Sequence, residues 1–234
     1  MRNREQEQRE FIKLLEEEGV NVVDTDISRV RDLRRRDTTI GVTFHHTGVS
    51  DRPIDSHHDY HVDEHGWAKV GYHGQIRPNG NLELGRPIWA RGAHAGNEAN
   101  DTTTGFAFSG NMNQSTPTDA QYQTAIAIVR VQLKLYQKDQ EIYGHKHWSA
   151  TACPGDNTDL DIIRDAIEEK EDDPELTMEI NNRPVGYPLK IVDGRTFVKL
   201  ADKWVQVREF IEMIPEASIS WDSDTRTVIV TIPE

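Results

Sequence analysis

The sequence predicts an α/β fold, a central mixed β-sheet flanked by helices, followed by a small, mainly β module of α+β type. Before residue 168, apolar strand-like runs alternate with amphipathic helical patterns, and such alternation is typical of layered α/β domains. EEKEDDPE at 168–175 is almost wholly charged and predicts a linker. Short apolar runs with turn signals follow it. We therefore expect one domain at 1–170, a linker at 171–176 and a C-terminal module at 177–234.

Composition and charge exclude several classes of function. The chain has 234 residues, of which 35% are hydrophobic, and its formal net charge is −13 at pH 7. So acidic a protein is not expected to bind nucleic acid or anionic membranes. No apolar run approaches the roughly 20 residues that span a bilayer, so we expect no membrane insertion. The first ten residues, MRNREQEQRE, contain no signal-peptide core, which predicts synthesis in the cytoplasm without an export signal.

The N-terminal elements follow from local patterns. A helix is predicted through Glu18, with Gly19 as its C-terminal stop. TTIGVTF at 38–44 predicts a buried strand. Ser56 is expected to cap a short helix that ends near Gly66.

The next elements are a hairpin, a strand and a long helix. AKVGYHGQIRPNGNLELG at 68–85 predicts a hairpin, because Asn79-Gly80 is a strong turn signal. TGFAFSG at 104–110 predicts another short strand. The clearest helical pattern follows, and Thr116 is its expected N-cap.

The remaining elements are one helix and the strands of the module. A helix around Ile163 has its apolar residues on one face and leads into the linker. In the module, the segments at 188–200 and 218–232 each predict a hairpin. Between them, WVQVREFIEMI at 204–214 predicts an amphipathic helix.

Histidines and one cysteine suggest a metal site. All ten histidines lie between residues 45 and 147, and the single Cys153 cannot form an internal disulfide. A lone Cys near His145 in a reducing compartment suits a metal ligand, and zinc favours imidazole nitrogen and thiolate sulfur. His45 lies at the carboxyl end of a predicted strand, where α/β sheets place functional groups. Spacing alone leaves open that these are ordinary surface or structural residues.

Five segments carry a family resemblance: TFHHTG, GWAKVGYHGQI, GAHAG, STPTDAQYQT and GHKHWSATACPG. In order and spacing they resemble the type 2 N-acetylmuramoyl-L-alanine amidases, which include phage lysozyme-type amidases and peptidoglycan recognition proteins. The resemblance covers residues 35–168. It implies one zinc ion held by His45, His145 and Cys153. It also implies hydrolysis, by a zinc-activated water, of the amide between N-acetylmuramic acid and L-alanine in bacterial peptidoglycan.

The resemblance also implies catalytic and substrate-binding residues. Tyr72 is expected beside the zinc as the partner of the attacking water or of the oxyanion, and Thr151 is the other member of this pair. The general base stays open, because a Glu used by one subgroup corresponds to Ala107 here, and Tyr72 is the candidate for proton transfer, together with a substrate group or water. His94 and His46 are candidate substrate-binding residues. The alternative for His94 is a structural role, and the alternative for His46 is packing or the orientation of a ligand.

Other histidines receive separate interpretations. His147 is an alternative to His145 as ligand, although the spacing to Cys153 favours His145. His73 is expected to pack or to orient a ligand. The histidines from His57 to His65 are expected to form a solvated helix face.

The C-terminal module resembles the small stalk-type repeat of copper amine oxidase N-terminal domains. It contains no His or Cys, so we expect it to bind no copper. Trp204 and Trp221 are candidate cell-wall-binding residues, with core packing as the alternative. Homodimer formation through an edge strand is the alternative role of the module.

These features favour a phage endolysin that stays in the host cytoplasm until release and then lyses the cell. The alternatives are a recognition module that binds peptidoglycan without cutting it, or a host autolysin. A complete set of zinc ligands favours the enzyme.

Overall fold

The computed structural model describes residues 3–25, 27–28, 30–168, 177–181, 183–185, 189–192, 195–200, 203–207, 218–222 and 227–232. The chain divides into two compact units, residues 1–167 and residues 168–234. The larger unit combines a mixed six-stranded sheet with flanking helices, and the smaller unit is mainly β, as the sequence predicts. Within the described residues, no helix is both long and apolar enough to cross a bilayer.

The larger unit is built on six strands: Val22–Val23 (β1), Gly41–His46 (β2), Gly74–Ile76 (β3), Leu82–Leu84 (β4), Thr103–Phe108 (β5) and Glu141–Gly144 (β6). They lie in the order β1-β4-β3-β5-β2-β6. The β3/β4 pair is antiparallel, and the other neighbouring pairs are parallel. The helices are Arg4–Glu17 (α1), Ile54–Asp63 (α2), Asn97–Thr102 (α3), Asp119–Tyr136 (α4) and Asp161–Glu168 (α5), with a 3-10 turn at His145–His147.

The two central strands separate the hydrophobic core from a polar face. Val42 and Phe44 of β2 are fully buried in the core, where Phe44 stacks on Phe108 of β5 with ring centroids 5.6 Å apart. Successive side chains of a strand point to opposite faces. Thr43 and His45 therefore lie on the other face of the sheet, away from this core.

Helix α1 packs its apolar face into the same core. It begins with a capping box in which Asn3 and Gln6 exchange side-chain-to-backbone hydrogen bonds. Phe11 and Leu15 are buried. Gly19 lies just beyond the helix with a φ of +83°, a conformation that glycine adopts without steric cost, so the predicted stop is present.

Helix α4 begins at a different cap from the one predicted. Its N-cap is Thr118, whose Oγ1 accepts from Gln121 N at 3.1 Å, while Gln121 Oε1 accepts from Thr118 N at 3.0 Å. Thr118 Oγ1 also donates to Pro78 O at 2.7 Å. Thr116 was the expected cap, but the residue three positions beyond it is Asp119. The longer Gln121 side chain reaches back to its cap and completes a capping box.

Three further boundaries follow from tertiary contacts. Strand β2 begins later than predicted and continues through His46, because its pairing with β5 extends that far. Helix α2 is capped by Glu83 of β4, whose Oε2 accepts from Ile54 N at 2.8 Å, and the predicted cap Ser56 lies inside the helix. The predicted hairpin is present as β3 and β4, with Gly80 at a φ of +86°.

The smaller unit contains two sheets. The strands are Thr177–Ile180 (β7), Arg183–Val185 (β8), Leu189–Val192 (β9), Arg195–Leu200 (β10), Lys203–Gln206 (β11), Ser218–Asp222 (β12) and Thr227–Thr231 (β13). Their order is β11-β10-β9 in one sheet and β12-β13-β7-β8 in the other.

Both predicted hairpins of the smaller unit are confirmed, since β9/β10 and β12/β13 are antiparallel pairs. The predicted helix at 204–214 is wrong at its start. Residues 204–206 belong to β11 and pair with β10, and 208–214 lie outside the described residues.

Candidate metal centre

The three side chains predicted as metal ligands meet at one edge of the larger sheet. His45 lies in β2, His145 begins the 3-10 turn after β6, and Cys153 lies in the following loop. Because β2 and β6 are parallel neighbours, their carboxyl ends share this edge. The potential ligand atoms of the three residues lie within 4.8 Å of one another. The Sγ of Cys153 is 3.6 Å from Nδ1 of His45.

Backbone hydrogen bonds fix the loop that presents the cysteine. Lys146 N donates to Cys153 O at 2.8 Å, and Cys153 N donates to Oγ1 of Thr151 at 3.2 Å. Gly155 follows with a φ of +103°, and a Cβ at this position would lie 2.6 Å from Met112. Only glycine satisfies both the conformation and the close approach. The loop therefore holds the sulfur in place against the end of β2.

The electrostatics of the cluster fit a cation bound by soft and borderline donors. Burial lowers the pKa of His45 well below its usual value and lowers that of His145 to a lesser extent, so both imidazoles are neutral at pH 7. Burial raises the pKa of the Cys153 thiol to about 11. A divalent cation offsets the cost of a buried thiolate, and two imidazoles with one thiolate are a typical zinc donor set. The residues present therefore fit zinc.

Each of the two predicted catalytic residues is next to a member of this cluster. Tyr72 is mostly buried, and its ring centroid is 5.2 Å from that of His45. Burial, with a smaller contribution from Cys153, raises the pKa of the Tyr72 phenol far above its usual value. Thr151 is exposed, and its Oγ1 accepts the hydrogen bond from Cys153 N.

The two predicted substrate-binding histidines have different surroundings. His94 is only 7% exposed, and its Nδ1 is 3.1 Å from Nε2 of His45. His46 is half-buried, and its Nδ1 accepts from Met112 N at 3.0 Å. His94 thus contacts a metal ligand directly, whereas His46 contacts the loop that follows β5.

The alternative ligand His147 lies outside the cluster. It is exposed and packs against Tyr143 and Trp148, with ring centroids 4.7 Å away in both cases. His73 is buried, its Nδ1 accepts from Gly105 N at 2.9 Å, and its Nε2 lies 2.9 Å from Ala90 O. This residue joins strands and loops behind the site, as the packing interpretation predicts.

The prediction of a solvated histidine face on α2 is wrong for two of its members. His58 and His61 are buried, and their Nδ1 atoms accept from Val70 N at 3.2 Å and Gly71 N at 3.3 Å. Burial lowers the pKa of His61 to about 4. Both residues follow Ile54 at helical spacing on one face, and this periodicity was the signal that could have revealed their burial.

His61 also extends the rings of the metal centre outward. Its centroid is 5.6 Å from Tyr72 and 4.7 Å from Trp67, on which it stacks. His65 stacks on the same indole at 5.1 Å. Sequence reasoning missed His61 as a neighbour of the site, because it treated the histidines of α2 as one exposed group.

The two predicted wall-binding tryptophans lie in the smaller unit. Trp204 is in β11 and Trp221 is in β12. Their side chains lie outside the described part of the chain, so their role stays a prediction.

Proteins with similar sequences align with the segment that contains His45, His145 and Cys153. A family described as N-acetylmuramoyl-L-alanine amidase matches residues 35–156. Peptidoglycan-recognition protein SC2 of Drosophila melanogaster is 38% identical over 100 residues, which cover 42% of this chain and 54% of that protein. The human N-acetylmuramoyl-L-alanine amidase is 32% identical over 108 residues, 45% of this chain and 18% of that protein. The chain spans about half the length of the recognition proteins that it matches.

Solved structures share the fold of the larger unit. An endolysin N-acetylmuramoyl-L-alanine amidase from Clostridium intestinale has a TM-score of 0.58 and 27% identity, covering 63% of this chain and 95% of that one. Drosophila peptidoglycan recognition protein SD has a TM-score of 0.55 at 23% identity, covering 59% and 90%. At that identity the second likeness concerns the fold alone.

Proposed function

The chain belongs to the N-acetylmuramoyl-L-alanine amidase family, and we propose on this premise that it hydrolyses the amide between N-acetylmuramic acid and L-alanine of peptidoglycan. One observation carries the proposal: His45, His145 and Cys153 converge within the segment that the family matches. A protein that only binds peptidoglycan does not require a complete set of zinc ligands. The intact set therefore favours catalysis over recognition alone.

His45, His145 and Cys153 would hold the zinc and leave one coordination position for the substrate or water. Three protein ligands around a tetrahedral ion leave a fourth position open. When bound, zinc polarises an amide carbonyl and makes water nucleophilic at neutral pH. His45 and Cys153 are buried, whereas His145 is partly exposed. The substrate therefore approaches from the His145 side of the cluster.

Tyr72 and Thr151 supply hydrogen bonds to the negative charge that develops on the amide oxygen. Burial raises the pKa of the Tyr72 phenol, so in the metal-free protein the phenol keeps its proton at neutral pH and can donate a hydrogen bond. The Thr151 hydroxyl accepts from Cys153 N, which leaves its own hydrogen for donation. Ala107 pairs directly with His45 in the sheet, and its methyl group cannot accept a proton.

The biological setting proposed is that of a phage endolysin. The protein stays in the host cytoplasm, reaches peptidoglycan when the membrane is breached, and then lyses the cell. The structural likeness to a Clostridium intestinale endolysin supports this setting. The likeness to peptidoglycan-recognition protein SC2 instead favours a recognition module that binds the wall, which is the second candidate. A host autolysin shares the chemistry of the first.

The deciding experiment pairs metal analysis with product analysis. Full-length protein and the His145→Ala variant are assayed for zinc per chain and for release of primary amines from purified peptidoglycan. We expect the wild type to bind one zinc and to release amines, and the variant to lose both. His147→Ala is the matched control, because His147 is exposed in the same turn and lies outside the cluster.

Three outcomes would contradict the proposal. New reducing sugar ends without new amines would indicate a glycosidase. Tight wall binding without either product would indicate the recognition module. Equal loss of zinc in His147→Ala would contradict the assignment of His145 as the zinc ligand of this turn.

A further inference from the structure

We propose that His94 is a positioning residue, which accepts a hydrogen bond from Nε2 of His45 and thereby keeps Nδ1 of His45 directed at the metal. This inference rests on the proposed zinc-dependent function. It differs from a contact with substrate, because it assigns His94 to the ligand behind the metal. The contacts of the two rings carry it.

The two nitrogens of His45 have different neighbours. Nδ1 lies 3.6 Å from the Cys153 sulfur, on the side of the metal cluster. Nε2 lies 3.1 Å from Nδ1 of His94. A neutral imidazole has one donor nitrogen and one acceptor nitrogen. If Nδ1 is to hold a metal, the proton must lie on Nε2, and His94 is the group placed to receive it.

The far side of His94 favours one direction for that hydrogen bond. Its Nε2 lies 3.5 Å from the carbonyl oxygen of Thr103. Because a carbonyl oxygen only accepts, this contact favours the tautomer of His94 that carries its proton on Nε2 and leaves Nδ1 as the acceptor. In that tautomer the hydrogen bonds run from His45 to His94 and from His94 to Thr103. This direction favours the tautomer of His45 that can bind a metal through Nδ1.

Two glycines clamp the His94 ring in this orientation. A Cβ at Gly92 would lie 2.3 Å from the ring, and one at Gly105 would lie 2.5 Å from it. The side chain of Asn100 accepts from His94 N at 2.7 Å and from Ala95 N at 3.2 Å, which fixes the backbone as well. With 7% exposure, the ring presents little surface to a substrate. The slot is built to hold an imidazole next to His45.

The experiment compares two substitutions of similar size in the full-length protein. In His94→Asn, the amide oxygen occupies the place of Nδ1 and can still accept, whereas His94→Leu cannot accept. The dissociation constant of zinc is measured by competition with a chromophoric chelator. We expect His94→Leu to weaken zinc binding by about 10- to 100-fold. We expect His94→Asn to stay closer to the wild type than to His94→Leu.

A second measurement needs no variant, in case His94→Leu does not fold. Nitrogen-15 NMR of the zinc-loaded wild type reports which imidazole nitrogens carry protons. We expect protons on Nε2 of both His45 and His94. A proton on Nδ1 of His94, or unchanged zinc affinity in folded His94→Leu, would overturn the inference.

The outcomes separate this inference from the proposed function. A wild type that cleaves the amide, with zinc affinity unaffected by His94→Leu, contradicts the positioning role alone. A wild type that binds zinc through the predicted tautomer but releases no amines contradicts the proposed function alone.

Discussion

At the scale of single residues, the buried rings around the cluster decide what chemistry each group can perform. The same desolvation that keeps His45 neutral keeps the Tyr72 phenol protonated. An uncharged imidazole is free to ligate a metal, and a protonated phenol is free to donate to an oxyanion. One physical cause therefore prepares both the ligand and the donor.

We expect Tyr72→Phe to lower kcat by about 100-fold and to leave zinc content unchanged, because it removes one donor to the developing charge and no ligand. The measurement combines amine release with zinc per chain. Tyr60→Phe is the matched control, since Tyr60 is 55% exposed. Full activity of Tyr72→Phe would remove this residue from the mechanism.

The ligands were readable from sequence because they lie in motifs of fixed type and order. The contact between His45 and His94 was not, since the two residues are 49 positions apart and meet only after β2 and β5 pair. The burial of His61 was readable in principle from its helical spacing to Ile54. Residue types thus predicted the metal, and folding determined which histidines support it.

At the scale of elements, the start of α4 shows how two candidate N-cap residues compete. Two threonines precede α4, and only one of them has a Gln three residues later that can reach back. Helices α1, α2, α4 and α5 and strands β2 to β5 were predicted from the sequence, whereas the short strands β1 and β6 and the six-residue helix α3 were not. The ends of the predicted elements depended on partners distant in sequence, such as Glu83 capping α2. In the smaller unit, pairing of residues 204–206 with β10 overrode an apparent helical pattern.

We expect Thr118→Ala to lower the free energy of unfolding by about 1 kcal/mol, because it removes one capping bond of α4 and the bond to Pro78. Thr116→Ala, at the wrongly predicted cap, should change it much less. Denaturant unfolding of both full-length variants provides the comparison. A larger loss of unfolding free energy in Thr116→Ala than in Thr118→Ala would show that Thr116 is the N-cap, as the sequence predicted.

At the scale of the whole molecule, buried neutral histidines make stability depend on pH. The folded pKa is about 4 for His61 and about 3 for His94, below the usual value of 6.5. The unfolded chain therefore binds more protons below about pH 6.5, and stability falls with pH in that range. We expect metal-free protein to unfold at progressively lower denaturant concentration as the pH drops from about 6.5 towards about 4.

A variant provides the control for this pH dependence. His61→Asn keeps an acceptor near Gly71 N but does not titrate, so its unfolding midpoint should vary less steeply with pH. An identical slope in wild type and variant would show that other groups set the dependence.

The two compact units predict a division of labour. All three ligands lie in the unit of residues 1–167. We expect a truncation ending at Glu171 to retain amide hydrolysis on soluble fragments and to bind intact walls less. Equal wall binding by the truncated form would exclude the wall-binding role of the C-terminal module. Light scattering of both forms tests the alternative role in homodimer formation.

Alternate side chains of strands β2 and β5 face the hydrophobic core, and the others lie on the opposite face of the sheet, where His45 lies. The effect of substitutions along these strands should alternate with the same period of two residues. Substitutions of core residues such as Phe44 should impair folding, whereas substitution of His45 should abolish hydrolysis and leave the fold intact. Descendants of such a protein could thus lose zinc ligands one substitution at a time and retain the fold. On this sheet, an enzyme and a recognition module that binds peptidoglycan without cutting it could therefore differ by one substitution.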